Sequence, residues 1–165
     1  MKQFLLIGYC CVLLTGCTSD ILPDPVMDTT SPFSAKALVQ IGDRRHRAEL
    51  VFDEEGNLMA AIDPDTLEQP MRQTAREGGT DVVLGDQHFT YPADWISAVN
   101  VTQLIRGSLI APGTVTREED KLRAEGIIRD VPYVIESTVD GKILLSFAFP
   151  TLDMKIELSD FARLP

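Results

Sequence analysis

Phe33-Ser34-Ala35-Lys36-Ala37-Leu38-Val39-Gln40-Ile41-Gly42-Asp43-Arg44-Arg45-His46-Arg47-Ala48-Glu49-Leu50-Val51-Phe52 is the stretch that decides the fold. Ala35, Ala37, Val39 and Ile41 alternate with Lys36, Leu38 and Gln40. After the turn pair Gly42-Asp43, Ala48, Leu50 and Phe52 alternate with Arg47, Glu49 and Val51. A period of two belongs to a strand, whose successive side chains point to opposite faces, so the stretch is predicted as a β-hairpin with one apolar face.

The same alternation continues downstream. Asp53 to Asn57 makes a turn, and Leu58 to Ile62 returns as a third strand that Asp63-Pro64 ends, because proline has no amide to give to a ladder. Leu67 to Arg76 reads ambiguously, with Pro70 arguing against a helix through its middle. A further hairpin is expected from Thr80 to Leu84 and Gln87 to Tyr91 around Gly85-Asp86. Asn100-Val101-Thr102-Gln103 has the form of a capping box, and Val101, Leu104, Ile105 and Leu109 follow at helical spacing, which predicts one short helix over Val101 to Ile110. Strands are again expected at Leu122 to Arg129, Tyr133 to Val139, Ile143 to Phe149 and Met154 to Leu158. About nine strands and one helix define a mainly β (α+β) fold: a strongly curved antiparallel sheet or incomplete barrel. The Trp95 to Ile110 region is expected to lie across its concave side as a lid.

Upstream of the hairpin the sequence changes character. Lys2 and an apolar run from Phe4 to Leu14 lead into Leu14-Thr15-Gly16-Cys17, the pattern of a bacterial lipobox, in which small residues precede a cysteine that takes a lipid thioether before cleavage. The apolar run has the length of a signal h-region and falls short of the roughly 20 residues that span a bilayer. Residues 1–16 are therefore read as a lipoprotein signal peptide, Cys17 as the lipidated residue, 17–32 as a flexible tether and 33–165 as one domain. Cleavage removes Cys10, Cys11 and Lys2, which leaves a single cysteine and a formal charge one unit more negative than the −10 of the whole chain. A single lipid-bearing cysteine excludes an intramolecular disulfide, a cysteine-zinc site and a thiol nucleophile. The negative charge repels phosphate backbones, so no nucleic-acid partner is expected. The expected location is the outer leaflet of the cell membrane, extracytoplasmic and held through Cys17. In a two-membrane cell it is the outer membrane, since Thr18 is not the retention aspartate. The expected state is a monomer.

Taken together, the lipobox, the Pro/Asp/Ser/Thr tether and three further segments resemble small Firmicute-type lipoproteins. Those segments are the opening strand at Phe33 to Ala37, Phe89-Thr90-Tyr91-Pro92-Ala93-Asp94, and the closing stretch from Asp140 to Ile156. Such lipoproteins in turn resemble the LolA/LolB and LppX/LprG group of lipoprotein and lipid carriers. The resemblance covers most of Phe33 to Phe161 and is one of strand order and texture. It implies an incomplete antiparallel barrel whose helical lid covers a cavity for acyl chains. The lid is shorter here and the domain smaller than in that group, and no family motif aligns position by position, so no binding residue is carried over.

Few residues point to chemistry. His46 and His88 read as solvated strand positions, and Arg44 to Arg47 as a charged edge that discourages aggregation. The acidic turn Asp53 to Asn57 departs from a calcium loop, with glycine at its fourth position and no bidentate Glu at the twelfth. Glu118-Glu119-Asp120 reads as a solvated turn. There is no Gly-x-Ser-x-Gly, phosphate loop or His-Glu-x-x-His, so no catalytic residue, metal or cofactor is expected, and the chain is not expected to be an enzyme. Phe89, Tyr91, Trp95, Leu104, Phe147 and Phe149 are the candidates for lining an apolar-ligand or lipid pocket, and an ordinary aromatic core would need the same alternation. Two functions remain: a lipid-binding or lipoprotein-binding module, or a structural or protein-interaction lipoprotein with a solid core. An apolar cavity of about 300 Å³ or more beneath the helix separates them.

Overall fold

A computed structural model describes residues 24–63, 69–93 and 100–165. The signal peptide, Cys17, the first residues of the tether, and Trp95 lie outside the described residues. β1 (Phe33–Ile41) and β2 (Arg44–Phe52) form the predicted hairpin, with Ile41 opposite Arg44 and Phe33 opposite Phe52. β3 (Leu58–Ile62), β4 (Met71–Arg76), β5 (Gly79–Leu84) and β6 (Gln87–Pro92) follow, then the helix α1 (Val101–Ile110). β7 (Thr114–Arg117), β8 (Lys121–Ile128), β9 (Val131–Thr138), β10 (Leu144–Phe149) and β11 (Met154–Arg163) complete the chain.

The eleven described strands belong to one antiparallel sheet of order β6-β5-β4-β3-β2-β1-β11-β10-β9-β8-β7. Each strand neighbours the next in sequence except β6 and β7, which lie at opposite edges, and at the centre the first strand pairs with the last, Phe33 opposite Arg163 and Ile41 opposite Met154. The edges β6 and β7 do not pair, so the sheet is open. Two strands exceed the sequence expectation. β4 forms from the ambiguous segment just after Pro70, and β7 is a four-residue edge strand. β4 was hard to read because its inward positions carry Gln73 and Ala75, which blur the apolar alternation.

α1 packs against β3, β4 and β5 on one side and against β8 on the other, strands far apart in the sheet order. The sheet must bend around the helix to make both contacts. One core results, running from Phe33, Leu50 and Phe52 through Leu104 and Leu109 to Ile135, Phe147 and Phe149. Phe33 stacks on Phe52 and Phe161, with ring centroids 5.8 and 5.0 Å apart, which ties the two halves of the sheet at its centre.

The described part of the predicted tether is not free. Met27 and Thr29 are buried, Thr29 Oγ1 donates to Leu109 O at 2.6 Å, and Asp28 N donates to Gly141 O at 2.9 Å. Arg163 spans the segment, donating to Ser31 O and Asp28 O at 2.7 Å, with its guanidinium over the Phe161 ring. Gly141 makes the docking possible. Its φ of +73° is left-handed, and a Cβ there would strike Val26 O. The sequence reads as a tether because it lacks any period, yet the contact uses backbone groups, Arg163 and the single side chains of Met27 and Thr29, which leave no period to read.

Candidate functional site

α1 begins where the sequence places it, but the predicted capping box does not form. Asn100 stands at the N-cap without capping an amide. Its Oδ1 instead accepts from Thr80 Oγ1 of β5 at 2.6 Å, and Gln103 Nε2 donates to Arg76 O at 3.3 Å. Thr102 Oγ1 donates to Gln73 Oε1 of β4 at 3.0 Å. The side chains of Asn100, Thr80, Gln103, Thr102 and Gln73 are all buried, so the first half of the helix is fastened to β4 and β5 by a polar seam. Arg106 Nε donates to Gly56 O at 2.7 Å in the β2–β3 turn, and burial lowers the pKa of its guanidinium. Leu104 and Ile105 bury in the core beyond this seam, and the second half is held by Leu109 and by the Tyr133 hydroxyl, which donates to Ala111 O. Burial raises the pKa of that phenol. Tyr133 reaches the helix across Gly126, its cross-strand partner, where any Cβ would strike the ring.

Beneath the first half of α1 lies a cavity of about 260 Å³. Its roof is Val101, Thr102 and Ile105; Val39, Ile41, Leu50 and Ile62 form its walls. The room comes from small side chains. Leu50 pairs with Ala60 and Ile62 with Ala48, so two alanines occupy positions where larger residues would fill the space. The polar lining is Gln73, Thr102 and His46, and His46 is the one titratable residue among those lining it. Its Nδ1 is buried without a hydrogen-bond partner among the described residues, as is Gln103 Oε1. Buried polar atoms are paired in the great majority of cases, so an orphaned nitrogen sealed in the wall of the chamber stands out.

The structure distributes the sequence candidates as follows. Leu104, Phe147 and Phe149 are in the solid core, none more than 2% exposed, and none lines the cavity. Phe89 and Tyr91 share one face of edge strand β6, stacked at 6.4 Å, with Phe89 41% exposed. They too stand apart from the cavity. His88 is a solvated strand residue near Asp81, as read, but His46 is half-buried and lines the chamber. The reading of Arg44 to Arg47 as an edge needs correction. β2 is an interior strand, although these four residues run past β3, whose pairing with β2 starts at Ala48. The Asp53 turn is closed by Asp53 Oδ1 accepting from Asn57 N at 2.7 Å. Among the described residues no group of three or more His, Cys, Asp or Glu is placed to hold a metal ion, and no helix is long and apolar enough to cross a membrane.

The fold and cavity define a class: a mainly β domain of one open antiparallel sheet wrapped on a single helix, hollow under one half of that helix. No protein-family model and no curated protein matches the chain. Among solved structures it is similar to an uncharacterized conserved protein from Thermus thermophilus. The TM-score is 0.51 at 12% identity, over 82% of this chain and 80% of that one. At that identity the likeness speaks for the fold alone.

Proposed function

We propose that this protein is a membrane-anchored, extracytoplasmic lipoprotein of the lipid-carrier type. In this reading it is a non-enzymatic module that holds an apolar ligand in an incomplete barrel under a helical lid, and it is tethered through lipid on Cys17. The observation that supports the reading is the cavity, whose apolar walls lie beneath a helix end fastened by hydrogen bonds. Apolar chambers stay dry and take apolar guests, because water there would lack partners. Its volume falls just short of the dividing size of roughly 300 Å³, so it supports a guest of one chain and not a diacyl lipid. The complete burial of Phe147 and Phe149 favours the second reading, an interaction lipoprotein with a solid core, for the other half of the domain.

Native mass spectrometry of the protein purified from its own host tests the proposal. A co-purifying single-chain lipid that is lost in Ala60→Phe, which fills the chamber, is the expected result. No lipid in either protein favours the interaction reading.

A further inference from the structure

We infer that the ligand is a single-chain amphiphile with an anionic headgroup, held by Arg44 and His46 at the β1–β2 end of the cavity. The inference rests on the apolar-ligand reading above and adds the headgroup chemistry.

Inward-facing positions of β2 recur every second residue, which places Arg44 and His46 in phase with Ala48 and Leu50 of the cavity lining. His46 lies opposite Val39, and Arg44 opposite Ile41, both cavity residues. Cross-strand partners have Cβ atoms about 5 Å apart, so the Arg44 stem starts at the chamber's wall while its guanidinium reaches solvent. Arg45 and Arg47 belong to the opposite face. Arg45 lies within the electrostatic reach of Glu157, and Arg47 beside Glu49 lines a separate outer groove.

Arg44 makes no ion pair among the described residues. Asp43 and Asp153 share its turn, and neither comes within ion-pair distance of it. Unpaired cations are common among the described residues, Arg72, Arg117, Arg129 and Lys142 included, so what sets Arg44 apart is its place at the end of an apolar chamber. The His46 ring lines the same end, although its Nδ1 is sealed from the chamber. Arg44 supplies what a carboxylate or phosphate at the head of a chain requires, a charged planar donor at the rim, with the His46 side chain in the wall beside it. At about 30 Å³ for each water-sized group, the chamber takes a chain of roughly nine carbons. The strand register puts Arg44 at the β1–β2 end of the chamber, opposite the lining residue Ile41.

Decanoate, decanol and decyltrimethylammonium, titrated by calorimetry against full-length protein in phosphatidylcholine nanodiscs with protein-free discs as baseline, test this. Decanoate is expected to bind at least tenfold more tightly than decanol, and the ammonium most weakly. Arg44→Gln, at an exposed position, and His46→Gln are each expected to lower decanoate affinity toward that of decanol while leaving decanol unchanged. Equal binding of decanoate and decanol, insensitive to both substitutions, overturns the headgroup inference and leaves the apolar-ligand reading standing, as does preference for the ammonium. Binding of none of the three overturns that reading and the inference with it.

Discussion

Ala60→Leu and Ala124→Leu are chemically identical changes at two inward-facing alanines, and the structure gives them opposite signs. Ala60 is 5% exposed and lines the cavity; Ala124 is fully buried on β8 in the close-packed core. At position 60 the added isobutyl carbons enter a chamber of about 260 Å³ and meet walls that now face empty space. Each buried methylene contributes about 0.8 kcal/mol, so three carbons stabilise by up to about 2 kcal/mol, less the entropy of fixing the new rotamer. At position 124 there is no room, and forcing carbons into a full core costs about 1–3 kcal/mol. For a domain near 150 residues, 1 kcal/mol moves Tm by about 2–4 °C. Thermal unfolding followed by circular dichroism should therefore raise Tm for Ala60→Leu by a few degrees and lower it for Ala124→Leu. A loss of stability in Ala60→Leu comparable to that in Ala124→Leu would mean that the chamber is not there, and both functional proposals would lose their footing.

Cys17→Ala should move the protein from the membrane fraction to the soluble fraction, or leave unprocessed precursor; normal processing with retained membrane binding would require another anchor. Gly141→Ala forces an L-residue into φ +73° and drives a Cβ onto Val26 O, so the 24–32 segment should undock. Faster limited proteolysis within that segment, and a stability loss of at least the roughly 1–2 kcal/mol of a left-handed backbone, are the expected results. Glu136 has a lowered pKa. The main cause is the hydrogen bond from Lys121 Nζ at 2.7 Å, with help from Ser146 Oγ at 3.1 Å and against the effect of burial. A lowered folded-state pKa gives stability that is present above the ordinary glutamate pKa of about 4.3 and is lost as pH falls through the lower folded value. Glu136→Gln should consequently flatten the acid limb of a stability–pH curve; an unchanged limb would show that the ion-pair cluster on β8 and β9 contributes nothing.

Much of the fold was legible because its strands have one dry face and one wet one. The β1–β2 hairpin, the β5–β6 hairpin and the final β10–β11 pair all show the alternation, and the helix announces itself by Asn100 followed by apolar residues at helical spacing. What the sequence could not convey is partnership. Asn100 and Gln103 mark the right place for a helix start, yet Thr80 and Arg76 take their hydrogen bonds, because those partners come from strands 20 or more residues away. The cavity was illegible for a related reason: it is made by what Ala48 and Ala60 lack, and a search for large apolar lining residues pointed to the filled core instead. His46 was the available signal. It stands in phase with Ala48, Leu50 and Phe52, so the same alternation that revealed the strand already placed it on the inner face.

The two halves of α1 differ in the kind of force that fastens them, and this bears on how a ligand would enter. Around Leu109 the helix is held by apolar burial, by the Thr29 and Tyr133 hydrogen bonds to its last carbonyls, and by close approach of Gly107 to Ile128. Burying one leucine contributes about 1.5–3 kcal/mol that water cannot replace. At the other end, the bonds of Asn100, Thr102 and Gln103 each contribute only about 0.5–1.5 kcal/mol net, because water can satisfy the same groups once they separate. Leu104 and Ile105, both buried, are the nearest apolar anchors, and the chamber under Ile105 means that this end forgoes part of its packing. Lifting the first turn, Asn100 to Gln103, thus exchanges protein hydrogen bonds for water ones, whereas lifting more of the helix from either end exposes core. In the carrier proposal the helix is therefore expected to loosen first at its Asn100 turn, over the cavity whose β1–β2 end carries Arg44 and His46.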